Sequence, residues 1–240
     1  MSHTLLLRLT GPMQSWGLQS RFSIRDTARE PTKSGVLGLV CAALGRPRSA
    51  SLDDLRALQM AVRVDREGQP RKDFHTAMNV LVASSTARQI ERRKPKLKDT
   101  EPSVRHYLAD AWFTVALQGQ DRSLLQRIDD ALGAPVWPLA LGRKAFVPSC
   151  PIRILDAEAQ PVGVLEGRAV ETLQAFLDPL FTGSYPEKHR IVLDATIDSE
   201  AIDVVQERMQ PDDPVSFATR RFLPRQVITG FLSPNPRATA

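Results

Sequence analysis

A leucine run broken by one arginine, Leu5-Leu6-Leu7-Arg8-Leu9, stops at Gly11-Pro12. So short an apolar stretch reads as a strand. After the loop Gly11-Pro12-Met13-Gln14-Ser15-Trp16-Gly17 and a basic connector comes Pro31-Thr32-Lys33-Ser34-Gly35-Val36-Leu37-Gly38-Leu39. That segment opens a small-residue helix over 34–44, ended by Gly45. Backbone N–H groups at such a helix start, beside a lysine and two hydroxyls, form a site for a phosphate.

The order continues consistently. Ser51 caps a short helix, 60–65 alternates as a strand, Glu67-Gly68-Gln69-Pro70 is a turn, and a strand from Asp73 to about Val82 is expected to pair back across it. Residues 84–104 lose all apolar periodicity; 107–117 is strand-like again; 123–132 is helical; a further strand is expected near 136–142. Strand, helix, strand, strand, helix, strand is the βαββαβ order of a ferredoxin-like, RNA-recognition-type α+β sandwich. The basic stretch at about 83–106 is then an insertion. This gives a first unit over 1–150 and a smaller β-rich part over 151–232. In the latter, 169–177 reads as helix and 190–197 and 227–232 as strands, with Val204-Val205 in another; 233–240 reads as a disordered tail.

With 42% hydrophobic residues the chain can build a core, yet no run reaches the roughly 18 apolar residues that span a bilayer. Met1-Ser2-His3-Thr4 does not resemble a signal peptide, and Cys41 and Cys150 match no metal-ligand spacing. The expectation is a cytoplasmic protein with no cofactor, no metal and no membrane partner. Charge is zoned: residues 1–48 carry seven Lys or Arg against two acids, and 83–106 carry seven against three. Localised cationic zones in a chain of net charge +5 point to a polyanion bound at one place.

Candidate contacts follow from those zones. Two glycines in the first turns of a helix cost about 1 kcal/mol each against alanine, so Gly35 and Gly38 imply close backbone approach. Without a Gly-x₄-Gly-Lys-Ser/Thr pattern, nucleotide hydrolysis is not indicated. Trp16 is either a core lid or, beside Arg21, Arg25 and Arg29, a stacking surface for unpaired bases. Six cations in eleven residues, Arg88, Arg92, Arg93, Lys94, Lys96 and Lys98, suit backbone phosphates. The turn Leu141-Gly142-Arg143-Lys144 suits them as well. His75, His106, Tyr107 and Lys144 are the residue types of a metal-free ribonuclease, should the fold unite them.

Several ordered motifs resemble one family: Leu7 to Gly17, Pro31 to Leu39, Asp73-Phe74-His75-Thr76, the stretch 107–117, and Leu141-Gly142-Arg143-Lys144. They are similar to the CasD family, the 5′-handle-binding subunits of type I-E CRISPR Cascade complexes. The match covers about 4–150. The resemblance implies a non-catalytic CRISPR RNA-binding subunit in antiviral defence that caps the 5′ handle of the guide. It also implies contacts with the Cascade backbone and large subunits, and with target DNA only through the complex. The insertion would be a thumb pressing on the guide. Thr32, Lys33, Ser34 and Gly35 would hold handle phosphates near Gln14 and Trp16, with Arg105, Gly142, Arg143 and Lys144 next. His75 is a further RNA-contacting candidate. A related branch of the family cuts repeat RNA with a Tyr/Lys/His set, which His75 and Tyr107 do not establish here; a metal-independent endoribonuclease is the alternative.

Overall fold

A computed structural model describes residues 1–18, 23–81 and 97–232, without the side chains of 79–81 and 97–99. Arg21, the thumb residues Arg88, Arg92, Arg93, Lys94 and Lys96, and the expected tail at 233–240 lie outside the described residues. The strands are β1 (His3–Thr10), β2 (Met13–Gln14), β3 (Ile24–Arg25), β4 (Gln59–Arg66), β5 (Gln69–Leu81), β6 (Leu97–Ala109), β7 (Trp112–Gly119), β8 (Val164–Glu166), β9 (His189–Asp194), β10 (Ile202–Ser216) and β11 (Arg221–Leu232). The helices are α1 (Lys33–Ala43), α2 (Asp53–Arg56), α3 (Arg122–Gly133) and α4 (Ala169–Ala175). None of these helices is long and apolar enough to cross a membrane.

Seven strands form one sheet in the order β10-β11-β9-β4-β7-β1-β8, with antiparallel neighbours throughout. Alternation sorts its side chains. Leu5, Leu7, Leu9, Val62, Val64, Phe113 and Val115 enter a core that also holds buried residues of α1 and α3. Leu6, Ala61, Ala116, Ile191 and Leu193 enter a second core with Ala169, Val170 and Leu173 of α4. The chain is therefore a mixed α and β protein built mostly on antiparallel sheet.

Two buried arginines lie in the same central strands. Arg8 donates to both carboxylate oxygens of Asp178, at 2.6 and 2.5 Å. Arg63 donates to Asp65 at 2.6 Å, and the Thr114 hydroxyl donates to the other oxygen of Asp65. His189 lies beside this group, and burial followed by the Arg63 charge holds its imidazole below the usual value.

Three expectations are corrected. The strand from Asp73 does not return to 60–65. Both edges of β4 are taken, by β7 and β9, and the polar β5 pairs with β6 in a second sheet instead. The strand-like run 107–117 breaks at Asp110, whose φ of 57° turns the chain from β6 in one sheet to β7 in the other. No strand forms at 136–142: Pro135 and Pro138 lack the N–H a ladder needs. There, Val136 and Trp137 donate to the Ala43 and Ala42 carbonyls and so finish α1. The place beside β1 falls to β8.

Candidate nucleic-acid interface

The second sheet projects the long β5–β6 hairpin, and its root lies against the loop after β1. β2 pairs antiparallel with the end of β6, and β3 runs parallel to it with Arg25 opposite Arg105. On the far side of β6, Asp73 faces Arg105 and His75 faces Ser103. Paired residues share a face of a sheet. Arg25, Arg105, Asp73 and His75 therefore lie on one side of the hairpin.

Arg143 completes this cationic cluster. Its guanidinium donates to the His106 carbonyl at 2.9 Å and the Arg25 carbonyl at 3.4 Å, and lies 5.3 Å from the centre of the Phe146 ring. Burial, and after it the Arg105 charge, push Arg143 below the ordinary arginine pKa; Arg25 adds to the depression, while Asp73 and Asp26 oppose it. A partly desolvated cation among like charges gains most from an added anion. The turn that delivers Arg143 requires Gly142. Its φ is +92°, and a Cβ there would sit 1.7 Å from the Ser15 carbonyl oxygen. Lys144 is exposed beside it.

A cleft of about 270 Å³ opens beside the cluster. Ser15, Trp16, Thr32, Ser34, Gly35, Gly142, Arg25, Asp26 and Arg143 line it together with Phe217 and Phe222. The structure thus brings the Gly11–Gly17 loop, the start of α1 and the 142–144 turn to one place.

Not every residue there faces the ligand space. Gln14 is fully buried: its amide donates to the Leu9 and Ala111 carbonyls and accepts from the Trp16 indole N–H. Trp16 is 1% exposed and serves as a lid. Its ring is what Gly35 accommodates, since a Cβ at 35 would meet it at 2.7 Å. Gly38 has only an ordinary 3.7 Å neighbour, the Phe217 ring, so close approach explains one of the two helical glycines.

The start of α1 is already neutralised from within. Asp212 accepts the Lys33 backbone N–H at 2.8 Å, and Thr32 caps the Gly35 N–H at 3.2 Å. A carboxylate at the positive end of a helix satisfies what a phosphate otherwise would. The Lys33 side chain turns inward, its ammonium 3.1 Å from the Arg56 carbonyl and 3.5 Å from Asp194. Arg225 donates to both Asp194 and Asp212. The expected phosphate-holding lysine is thus placed as a buried tie between α1 and the C-terminal strands. Its neighbours Thr32 and Ser34 stay on the cleft.

The candidate ribonuclease set is not assembled. His106 stands opposite Lys72 and Tyr107 opposite Arg71, so the two neighbours point to opposite faces. His75 shares the Tyr107 face but lies four residue steps away, about 13 Å at strand rise. Tyr107 packs toward Phe146, ring centres 6.0 Å apart. Lys98 stands opposite Val80 in the hairpin.

Sequence reading missed Asp212, Asp194 and the two phenylalanines. The signal for the last was present as Phe217-Ala218-Thr219-Arg220-Arg221-Phe222, aromatic residues interleaved with cations. No short-range pattern links Asp212 to a helix start 179 residues earlier.

The family of CRISPR-associated proteins described as Cas_Cas5 matches residues 4–229. The Cascade subunit CasD of Escherichia coli (strain K12) is 36% identical over 165 residues, covering 63% of this chain and 68% of that protein. A solved structure described as a Cas protein superposes with a TM-score of 0.69 at 38% identity, over 96% of this chain and 95% of the other. A chain of a CRISPR RNA-guided surveillance complex does so with a TM-score of 0.71 at 32% identity, over 98% and 92%. With its motifs, its sheet and its full-length match in agreement, the chain belongs to the Cas5 family of CRISPR-associated proteins, the family that includes CasD.

Proposed function

We propose that this chain is a CRISPR RNA-binding subunit of a Cascade-type surveillance complex in antiviral defence. It seats the 5′ handle of the guide at the root of the β5–β6 hairpin and acts without catalysis. The observation that carries this reading is the cluster of Arg25, Arg105 and Arg143, held together beside a cleft with Asp73 and Asp26 offsetting part of its charge. Family membership supports guide RNA as the polyanion that such a cluster meets. Ser34, Lys144 and the exposed backbone near Gly142 supply further contacts. Gln14, Trp16, Lys33 and Gly35 shape the site from behind. The hairpin is the lower part of the thumb.

The four strands β4-β7-β1-β8, with α1 and α3 packed against one face, support a ferredoxin-like core. We assign residues 1–150 to RNA binding, with the thumb at about 83–106, and 151–232 to an extension that meets neighbouring subunits. The partners are the backbone and large subunits of the complex, and the setting is the bacterial cytoplasm.

Two measurements on the purified protein test this. The double variant Arg25→Ala/Arg105→Ala should bind handle-bearing single-stranded RNA at least about tenfold more weakly. The slope of log K against log salt should become shallower by about 1.4, two single-strand phosphate contacts' worth. Labelled repeat RNA incubated with wild type in EDTA should stay intact. Cleavage that vanishes in His75→Ala or His106→Ala would show a nuclease instead.

A further inference from the structure

Two phenylalanines that line the cleft have no role in phosphate binding. Phe217 and Phe222 flank the turn between β10 and β11, with ring centres 6.4 Å apart and planes inclined at 63°. Phe217 is half-buried and backs onto α1 at Gly38. Phe222 is 38% exposed, and leaving that much aromatic surface in water forgoes part of the burial energy a core position would supply.

The hairpin is fixed close to where these rings begin. Asp212 is tied to the first N–H of α1, and Asp213 accepts from Arg56 at 2.6 Å. The tip thereby contributes Phe217 and Phe222 to the cleft that Arg25, Asp26 and Arg143 also line. At about 270 Å³ the cleft lies just under the roughly 300–1,000 Å³ of small-molecule pockets, room for one nucleotide unit and not a run of them. Aromatic rings and two arginines lining one cleft complement the π-face and the phosphates of an unpaired nucleotide, with Asp26 offsetting part of the positive charge. Arg220 and Arg221, exposed between the two phenylalanines, make no ion pair among the described residues and extend the cationic surface around the tip.

We propose that Phe222, backed by Phe217, is a stacking platform for a single unpaired nucleobase of the bound RNA, while Arg25 and Arg143 meet its flanking phosphates. This deepens the RNA-binding reading above and rests on it. The C-terminal hairpin thereby becomes part of the RNA site, and Lys33 and Asp212 become positioning residues that hold it there.

The test uses the full chain with two fluorescent probes of equal length, oligo-adenylate RNA and an abasic ribose-phosphate oligomer. Phe222→Ala should weaken oligo-adenylate binding about 5- to 150-fold, the range of one stacked base, and leave the abasic oligomer unaffected. Phe222→Trp should restore wild-type affinity. The Arg25→Ala/Arg105→Ala variant should weaken both probes. If Phe222→Ala changes neither probe, or both equally, the platform is overturned. The RNA reading then still stands, provided that the arginine variant loses both. If wild type binds neither probe, the RNA reading falls and the platform with it. Adenosine monophosphate binding as tightly as the oligomer would make this a free-nucleotide site and overturn the proposal.

Discussion

Asp178→Ala is expected to destabilise the chain by about 3–5 kcal/mol, the cost of leaving a buried charge without its partner. Both side chains of the Arg8–Asp178 pair are fully buried. Arg8 stands in β1 opposite Thr114 of β7, with the 152–153 segment on its other edge, and no route is left for its guanidinium to reach water. The pair connects residues 170 positions apart, tying the extension to the strand that opens the fold. The double variant Arg8→Met/Asp178→Leu removes both charges and should recover most of the loss, because a well-packed apolar pair is about as good as a buried ion pair. Urea unfolding of the three proteins measures this directly. Equal destabilisation of the single and double variants would show that packing, and not the orphaned charge, sets the cost.

Gly142→Ala is expected to cost about 2–5 kcal/mol, from a left-handed backbone conformation added to a steric clash. The clash is with backbone, the Ser15 carbonyl oxygen, so no side-chain rotation relieves it. The damage falls on the site itself, since Ser15 also donates its N–H to the Leu141 carbonyl and this turn presents Arg143. The comparison is Gly38→Ala. There the new methyl meets only the Phe217 ring at 3.7 Å, and the helix gains about 0.5–1 kcal/mol in propensity. Denaturation midpoints should therefore move in opposite directions for the two glycines. A Gly142→Ala protein as stable as wild type would show that the 15–142 contact is not a constraint on the fold.

The contrast between those glycines shows how far the sequence was legible. Local signals served well: the apolar run of β1, the Gly45 stop of α1 and the leucine spacing of α3 each depend on neighbours within a few residues. The loop, the helix start and the 142–144 turn were also readable as members of one site. What pairs with what was not. β5 looked like the partner of β4 because a turn joins them, yet a strand buried on both faces took two other neighbours. The fourth place in the core was read at 136–142 on order alone, where two prolines prevented it. Lys33 has the company of a phosphate ligand in sequence, and only the fold brings Asp194 and Asp212 to claim it. Phe217 and Phe222 likewise become meaningful once the C-terminal hairpin is seen to reach back over α1.

The proposed site predicts where the guide RNA lies. In the reconstituted complex, guides carrying a photo-crosslinking nucleotide at successive positions can be joined to this chain and the attached peptides mapped. Crosslinks from the repeat-derived 5′ end should fall on peptides containing Arg25, Arg105 and the Gly142-Arg143-Lys144 turn. Crosslinks arising only from the spacer, or none on those three peptides, would contradict the assignment of this cleft to the 5′ handle.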